Sequence, residues 1–519
     1  VAKRTKSRPK ARPAKGRKRV DLRTVRAIAI TRRGKARRWA RANYDAAMTT
    51  DENYRHWAAA DDLSPDALAS DWVRRTLRRR ARYEVRNNCY AAGMVLTLAN
   101  DVVGVGPRLQ MLGADATANA KIESEFALWS RRTLLASKLR TMRTARAQDG
   151  ESFMMFTTNP RLGGPVSLDT KLVEADRIAS PIAFFNSIVV VPDENGNIPE
   201  NMPEPVDGIV YDDYGNPVEY HILKHHPGDT FVPDPNDVQR VPAKQVVHYF
   251  RADRAGQSRG VPEITPALPL YAQLRRYTLA VIAAAETAAD YAAVLERDAN
   301  ADEDPEIDPV TNEEVSIDTG SFSTFEIERR MLTQLPAGFK MSQLKAEQPA
   351  TTYGDFKKEI INEIARCLNM PFNVAAGNSS GYNYASGRLD HQTYYRAIDV
   401  DRSDLESVVL DRIFEAFMNE AILVTGLIPV TMRNPATWTH NWLWGRPEHV
   451  DPNKDATAQT TRLTNGTTSL ARECARDGLD WEELMEQRAR EFKRAQELGL
   501  PIPVPTPAGG PPEEVDDED

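Results

Sequence analysis

The chain has 519 residues, 41% of them hydrophobic and 27% charged, the composition of an ordinary soluble protein with room for two to four domains or one elongated subunit. No run of 18 apolar residues occurs, so no membrane-spanning helix and no membrane partner are expected. Cys89, Cys367 and Cys474 are too scattered for a disulfide framework or a C-x-x-C zinc module. The net charge of −7 hides an asymmetry, because residues 1–40 carry 17 Lys+Arg against one acid, Asp21, a local +16. The rest therefore sums to −7 − 16 = −23. A basic arm on an acidic body suits a tail that reaches for polyanion while the body avoids it.

In chain order, residues 1–20 mix Lys, Arg and Pro, and the arm to residue 48 is expected to be largely disordered. No apolar core or small-residue cleavage site follows it, so no signal peptide is expected. Residues 63–98 read as mostly helical, stopped by Gly104-Val105-Gly106-Pro107. Short strands are then expected at 152–157, 183–191, 208–211, 218–223 and 246–250, separated by turn residues, with 211–220 as a hairpin. Helices followed by antiparallel strands make this an α+β fold.

Residues 266–296 predict one long helix, alanine-rich from Ala280 to Ala293, whose small side chains allow close packing against a neighbour. Residues 298–318 hold nine acids and no Lys or Arg, broken by Pro305 and Pro309, an exposed acidic excursion. A strand at 322–327 and a tight turn at 332–338 follow. Residues 353–369 predict a second helix, with Phe356, Ile360, Ile364 and Leu368 at i, i+4 steps, ended by Met370-Pro371. Residues 372–386 are polar, uncharged and turn-prone, and a third long helix is expected over 388–422. Further helices are expected at 453–463 and 481–498, before a Pro/Gly linker and a purely acidic tail at 513–519.

Gly377-Asn378-Ser379-Ser380-Gly381 matches G-x-S-x-G, but a proline-stopped helix leads in where a nucleophile elbow needs a strand. His221, His225 and His226 are close in sequence, yet no Cys, Asp or Glu at ligand spacing completes a metal site, so surface or hydrogen-bonding histidines are expected. No phosphate-binding G-x-x-x-x-G-K-[ST] occurs. No catalytic residue, metal or cofactor is therefore expected, and if the chain helps to move DNA another protein supplies the energy.

Several segments together resemble the lambda-type family of phage portal proteins. They are Arg86-Asn87-Asn88-Cys89-Tyr90-Ala91 with residues 100–106, Asp149-Gly150-Glu151-Ser152-Phe153, His248-Tyr249-Phe250 and Gln257-Ser258-Arg259-Gly260-Val261-Pro262. To these add residues 363–371 through 383–388, Asp451 to Ala456, and Gly478-Leu479-Asp480-Trp481. Cys89 departs from the family, which often has Pro there, and the 298–318 region is unusually acidic.

The resemblance implies a dodecameric ring at one capsid vertex of a virion, assembled in the host cytoplasm, through which DNA is packaged and ejected. It implies a mixed α/β wing (49–262), a stem helix (263–297), a small α/β clip (298–350), a second stem helix (351–371) and a tunnel loop (372–386). A wing helix and return (387–455), a helical crown (456–500) and an acidic tail (501–519) complete it. Implied partners are double-stranded DNA, the terminase large subunit, major capsid and scaffold proteins, and a head–tail connector.

The tunnel-loop residues are Asn373, Asn378, Ser379, Ser380, Tyr382, Asn383 and Tyr384, with Arg388 just beyond. A channel through which duplex slides should not bind phosphate tightly, and a charge-free loop offers only transient hydrogen bonds. Asp302, Glu303, Asp304, Glu306 and Asp308 of the clip are the docking candidates for motor or connector. Alternatives are a head–tail adaptor or shell protein, which would not be expected to carry two long helices flanking an acidic insert. A nucleic-acid-processing enzyme would need a carboxylate cluster for metal ions or a phosphate loop.

Overall fold

The computed structural model describes residues 50–51, 53–179, 206–229, 237–290, 353–381, 383–445 and 452–500, and the backbone of four short strands outside them. The chain divides into two compact units, Val1–Leu63 and Ser64–Asp519. In the first, β1 (Ile28–Ile30) pairs antiparallel with β2 (Ala36–Arg38). The arm expected to be largely disordered thus contains a short hairpin.

The second unit opens with α1 (Pro65–Leu68), capped by the Ser64 hydroxyl, then α2 (Asp71–Asn87) and α3 (Cys89–Val103). Asn88 separates α2 from α3: its backbone leaves the helical region (φ −124°) and its side chain accepts from the N–H groups of Tyr90 and Ala91. The mostly helical stretch expected over 63–98 divides here because asparagine bonds its own backbone as readily as it propagates a helix. Gly104 ends α3 at φ 56°, and β3 (Arg108–Met111), α4 (Ala116–Arg132) and α5 (Leu135–Asp149) follow.

Next come β4 (Glu151–Thr158), β5 (Leu168–Val173), β6 (Ile209–Tyr211), β7 (Pro217–Leu223), β8 (Val238–Pro242) and β9 (Val246–Phe250). They form two antiparallel sheets ordered β5-β4-β9 and β6-β7-β8. The strands expected at 152–157, 208–211, 218–223 and 246–250 are present within a residue or so, and the one at 183–191 lies outside the described residues. The expected hairpin is β6–β7, with Ile209 opposite Tyr220 and the Asp212 carboxylate accepting from the Tyr214 and Asn216 N–H groups in the turn.

Helix α6 (Leu268–Asp290) stops short of residue 296, because Val294–Arg297 forms β10, paired antiparallel with β11 (Phe339–Ser342). This ladder brings together the two ends of the 298–338 segment, whose first half is the acidic excursion. Helices α7 (Tyr353–Arg366), α8 (Phe372–Ala376) and α9 (Tyr384–Leu405) follow, and α9 runs through a π-helical turn at Glu406–Leu410 into α10 (Asp411–Ala421). β12 (His440–Leu443) returns to pair with β3, Trp442 opposite Leu109. Helices α11 (Pro452–Thr464), α12 (Leu470–Arg476) and α13 (Trp481–Leu498) match the two segments expected and add a short helix between them.

The main core lies among α3, α4, α5, α9, α10 and the outer face of β4 and β9. Phe126 packs edge-on against Phe414 and Phe417 at 6.0 and 5.2 Å, with Trp129 beside Phe417 at 5.4 Å. Each such ring contributes about 1.5–3 kcal/mol by burial, so α10 is held firmly, and α9 is anchored at the end remote from residue 384. A smaller core between the two sheets gathers Phe153, Ile209, Tyr220, Ile222 and Val241.

Candidate functional site

Helix α7 ends at Arg366, and the chain turns through Asn369 at φ 52°, a left-handed conformation that asparagine tolerates better than most residues. Pro371 then starts α8, so the segment expected as an open loop from 372 begins with a helical turn. Gly377 caps it at φ 62°, and Gly377 to Gly381, with Asn383, are exposed.

Asn373 is not a free loop residue. It sits on α8, half-buried, and its amide pairs with the His391 ring of α9 at 2.9 Å. The Lys358 ammonium lies 5.5 Å from the centre of the Phe372 ring. Asn378 folds the loop locally by accepting from the Ser380 N–H at 2.9 Å. Ser379, Ser380 and Asn383 are exposed, as is Arg388 one turn into α9. Tyr382 and the side chain of Tyr384 lie outside the described residues, as do Asp302, Glu303, Asp304, Glu306 and Asp308. The G-x-S-x-G match falls between two helices, which is not the strand–turn–helix setting that exposes a nucleophile.

Beneath the loop, α9 is braced by buried polar contacts. The Tyr394 hydroxyl donates to Asp101 at 2.7 Å. Arg402 donates to the carbonyls of Val102, Asp101 and Gly445, and stacks over Trp444. Asp401 meets Arg143 at 2.8 Å and Arg146 at 3.3 Å. The same two arginines reach Glu263 at 2.9 and 3.0 Å, a few residues before the start of α6. Arg143 and Arg146 thus join the root of α6 to the helix that leaves the loop. Burial alone would raise the Glu263 carboxyl, but Arg143, Arg146 and Arg251 override it and hold it below the usual range. A cavity of about 40 Å³ remains at this joint, bordered by Arg143, Arg251, Glu263, Cys367, Tyr394 and Asp401.

A second network centres on Glu151, fully buried. It receives Arg259 on both oxygens, at 2.6 and 2.8 Å, with Arg78 at 3.2 Å, His248 at 3.1 Å and the Gly260 N–H at 3.0 Å. Arg259 spends its other donors on the carbonyls of Ala175, Ile178 and Asp207. Burial would raise Glu151, yet Arg259 and His248 hold it well below the carboxylate range. Burial lowers His248, against the pull of Glu151. Gly150 (φ 91°) and Gly260 lie so close that a Cβ on either would strike the other's backbone. Two of the stretches that carried the sequence resemblance, 149–153 and 257–262, are therefore one site in space.

The histidine triplet divides. His221 is buried and pairs with Glu219 at 3.0 Å, its pKa lowered by burial. His226 lies 3.3 Å from Glu174 and 3.8 Å from Asp176, acids too distant in sequence for a spacing rule to find. These three could together hold a cation, which amends the expectation that no acid completes such a group. Both carboxylates already meet Arg82 at 2.7 Å, and Asp176 also meets Arg78 at 2.8 Å. The cluster is thus charge-balanced by guanidinium. Sequence reading missed all these networks, and the one available signal was the density of arginine in 74–86.

Residues 51–402 match the family model described as phage portal protein, lambda family. The chain belongs to that family. The match runs from before α1 to Arg402 in α9. This portal-family chain is also similar to a "probable portal protein" of Halomonas phage phiHAP-1, 27% identical over 458 residues, 82% of each chain. Among solved structures it is similar to a chain of the virion of a native gene transfer agent particle, with 13% identity and a TM-score of 0.39 over 83% of this chain and 99% of that one. A chain from the neck of the native particle, computed with C12 symmetry, gives 13% and 0.39 over 78% and 92%.

Proposed function

We propose that the chain assembles into a dodecameric ring at one capsid vertex. DNA enters and leaves through the ring, which docks the terminase large subunit and then the head–tail connector. Membership of the portal family supports the ring, and the observation that carries the conduit is the loop at 377–383. Its described residues are exposed, the loop carries no charge, and Arg388 is the first cation beyond it. Hydroxyl and amide groups exchange hydrogen bonds with passing phosphates at little cost, whereas arrays of Lys and Arg would anchor the duplex through counterion release. The Arg143–Arg146 joint gives the loop a stiff base, connected to the stem. Asp302, Glu303, Asp304, Glu306 and Asp308 present the clip's negative charge to motor or connector, and the basic arm contacts DNA, scaffold or capsid protein during assembly in the host cytoplasm.

Negative-stain imaging of the purified full chain tests this reading. Rings with a central channel wide enough for duplex DNA are expected. Monomers that cleave DNA with added divalent metal would overturn it.

A further inference from the structure

Helix α2 holds seven arginines and no lysine. Its inner face buries Arg74 and Arg78, and Arg82 is ion-paired beside them. The opposite face carries Trp72, Arg79, Tyr83 and Arg86 at steps of about two turns and one turn, one stripe along the helix. Trp72 is 73% and Tyr83 47% exposed. Arg79 and Arg86 are exposed too, and the contacts shown for them are weak or to backbone: Thr76 Oγ1 at 3.5 Å, and the Arg82 carbonyl at 3.2 Å. Neither has a carboxylate partner among the described residues. Trp, Tyr and Arg are the side chains that dominate binding energy at protein interfaces.

Helix α7 carries the complement. Asp355, Glu359 and Glu363 are exposed at i, i+4, i+8, beside Phe356, which is 52% exposed. The lysines of α7 do not neutralise them, since Lys357 lies over the rings of Tyr90 and Tyr353 and Lys358 over Phe372. The outer acids span about 12 Å and Arg79 to Arg86 about 10 Å, at 1.5 Å per residue, so the two stripes match in length as well as in sign.

We propose that the outer stripe of α2 is one half of the contact between neighbouring subunits, and that its occupant is the acidic stripe of α7 on a second copy of this chain. The inference rests on the ring reading above. A ring requires two different surfaces that meet head to tail, and subunits whose bodies are net acidic need opposed local charges to approach. Duplex DNA is the less suitable occupant, because a phosphate backbone offers Trp72 and Tyr83 no apolar cover.

Sedimentation velocity on the full chain tests the contact. Arg79→Glu/Arg86→Glu should keep the wild-type melting temperature yet need at least about tenfold more protein to form rings. Glu359→Arg/Glu363→Arg should do the same, and the four changes in one chain should restore assembly. Rings of the α2 variant at wild-type concentration would overturn the contact, and so would failure of the combined chain to recover. Normal rings combined with lost retention on duplex DNA would also overturn it, assigning the stripe to polyanion. A wild-type chain that never forms rings overturns the ring reading and this contact with it, whereas wild-type rings beside unchanged variant rings overturn the contact alone.

Discussion

Arg259 lies across the carboxylate of Glu151, Nη2 2.6 Å from Oε1 and Nε 2.8 Å from Oε2, and neither side chain meets solvent. The pair fastens β4 to the segment that leads into α6, so the β5-β4-β9 sheet and that helix are connected through a bidentate contact.

Removing one partner should cost more than removing both. Glu151→Gln leaves Arg259 charged and buried without a counter-ion, and should destabilise by about 3–5 kcal/mol in urea denaturation. The double variant Glu151→Gln/Arg259→Met should recover a measurable part of that loss. Equal, additive losses in the cycle would show that the two side chains are not coupled.

Stability should fall on the acid side, in two stages. His248 is held neutral by burial, so the unfolded chain takes up a proton first, and stability declines once pH drops below about 6.5. Glu151 and Glu263 are depressed in the fold. Their contribution is complete above the unfolded carboxylate value of about 4.3 and is lost as pH falls through the lower folded values. Urea midpoints measured against pH should show both stages, and His248→Gln should shrink the first, leaving the part that His221, also lowered by burial, contributes. Midpoints that rise between pH ~6.5 and ~5 would contradict the sign argued here.

The C-terminal helices have their own acid-resistant group. Glu473 accepts from Arg462 at 2.8 and 3.0 Å and from Arg476 at 3.0 Å, and chiefly the Arg462 hydrogen bonds hold its carboxyl at about 2. Carboxyl NMR should titrate it near that value, and Arg462→Met should return it toward the ordinary range. An unchanged titration in the variant would remove Arg462 as the cause.

Deleting residues 377–382 should leave ring assembly intact, because the loop's described residues are exposed and α8 is pinned to α9 by Asn373 and His391. Packaging or DNA retention should suffer, measured as filled particles per assembled capsid. Normal packaging together with normal retention would dismiss the loop as a part of the channel.

Neutralising Asp302, Glu303, Asp304, Glu306 and Asp308 to their amides should weaken capture of the packaging motor or the connector by about tenfold at low salt, less at high salt. Pull-down with purified partners reads this directly. Binding that does not change for either partner would leave the acidic insert without a docking role.

Local pattern determined much of this molecule. Turn residues and β-branched runs set β9 at 246–250 and the 481–498 segment set α13, whereas the helix before the loop ends at Arg366, short of the Met370-Pro371 stop expected. The order of these segments carried the family. Tertiary structure alone decided the rest, because a spacing rule sees only neighbours. Trp442 meets Leu109 across more than 300 residues to make β12 and β3 a sheet, and Val294–Arg297 leaves the helical pattern because residues 339–342 offer it a ladder. The loop's charge-free composition was legible from the chain, whereas the base that holds it was not. In sequence, Arg78, Arg143, Arg146 and Arg259 look like any solvated cation. Only when distant Glu151, Glu263 and Asp401 converge on them can four guanidiniums be buried, since a charge leaves water only where its partner is already waiting.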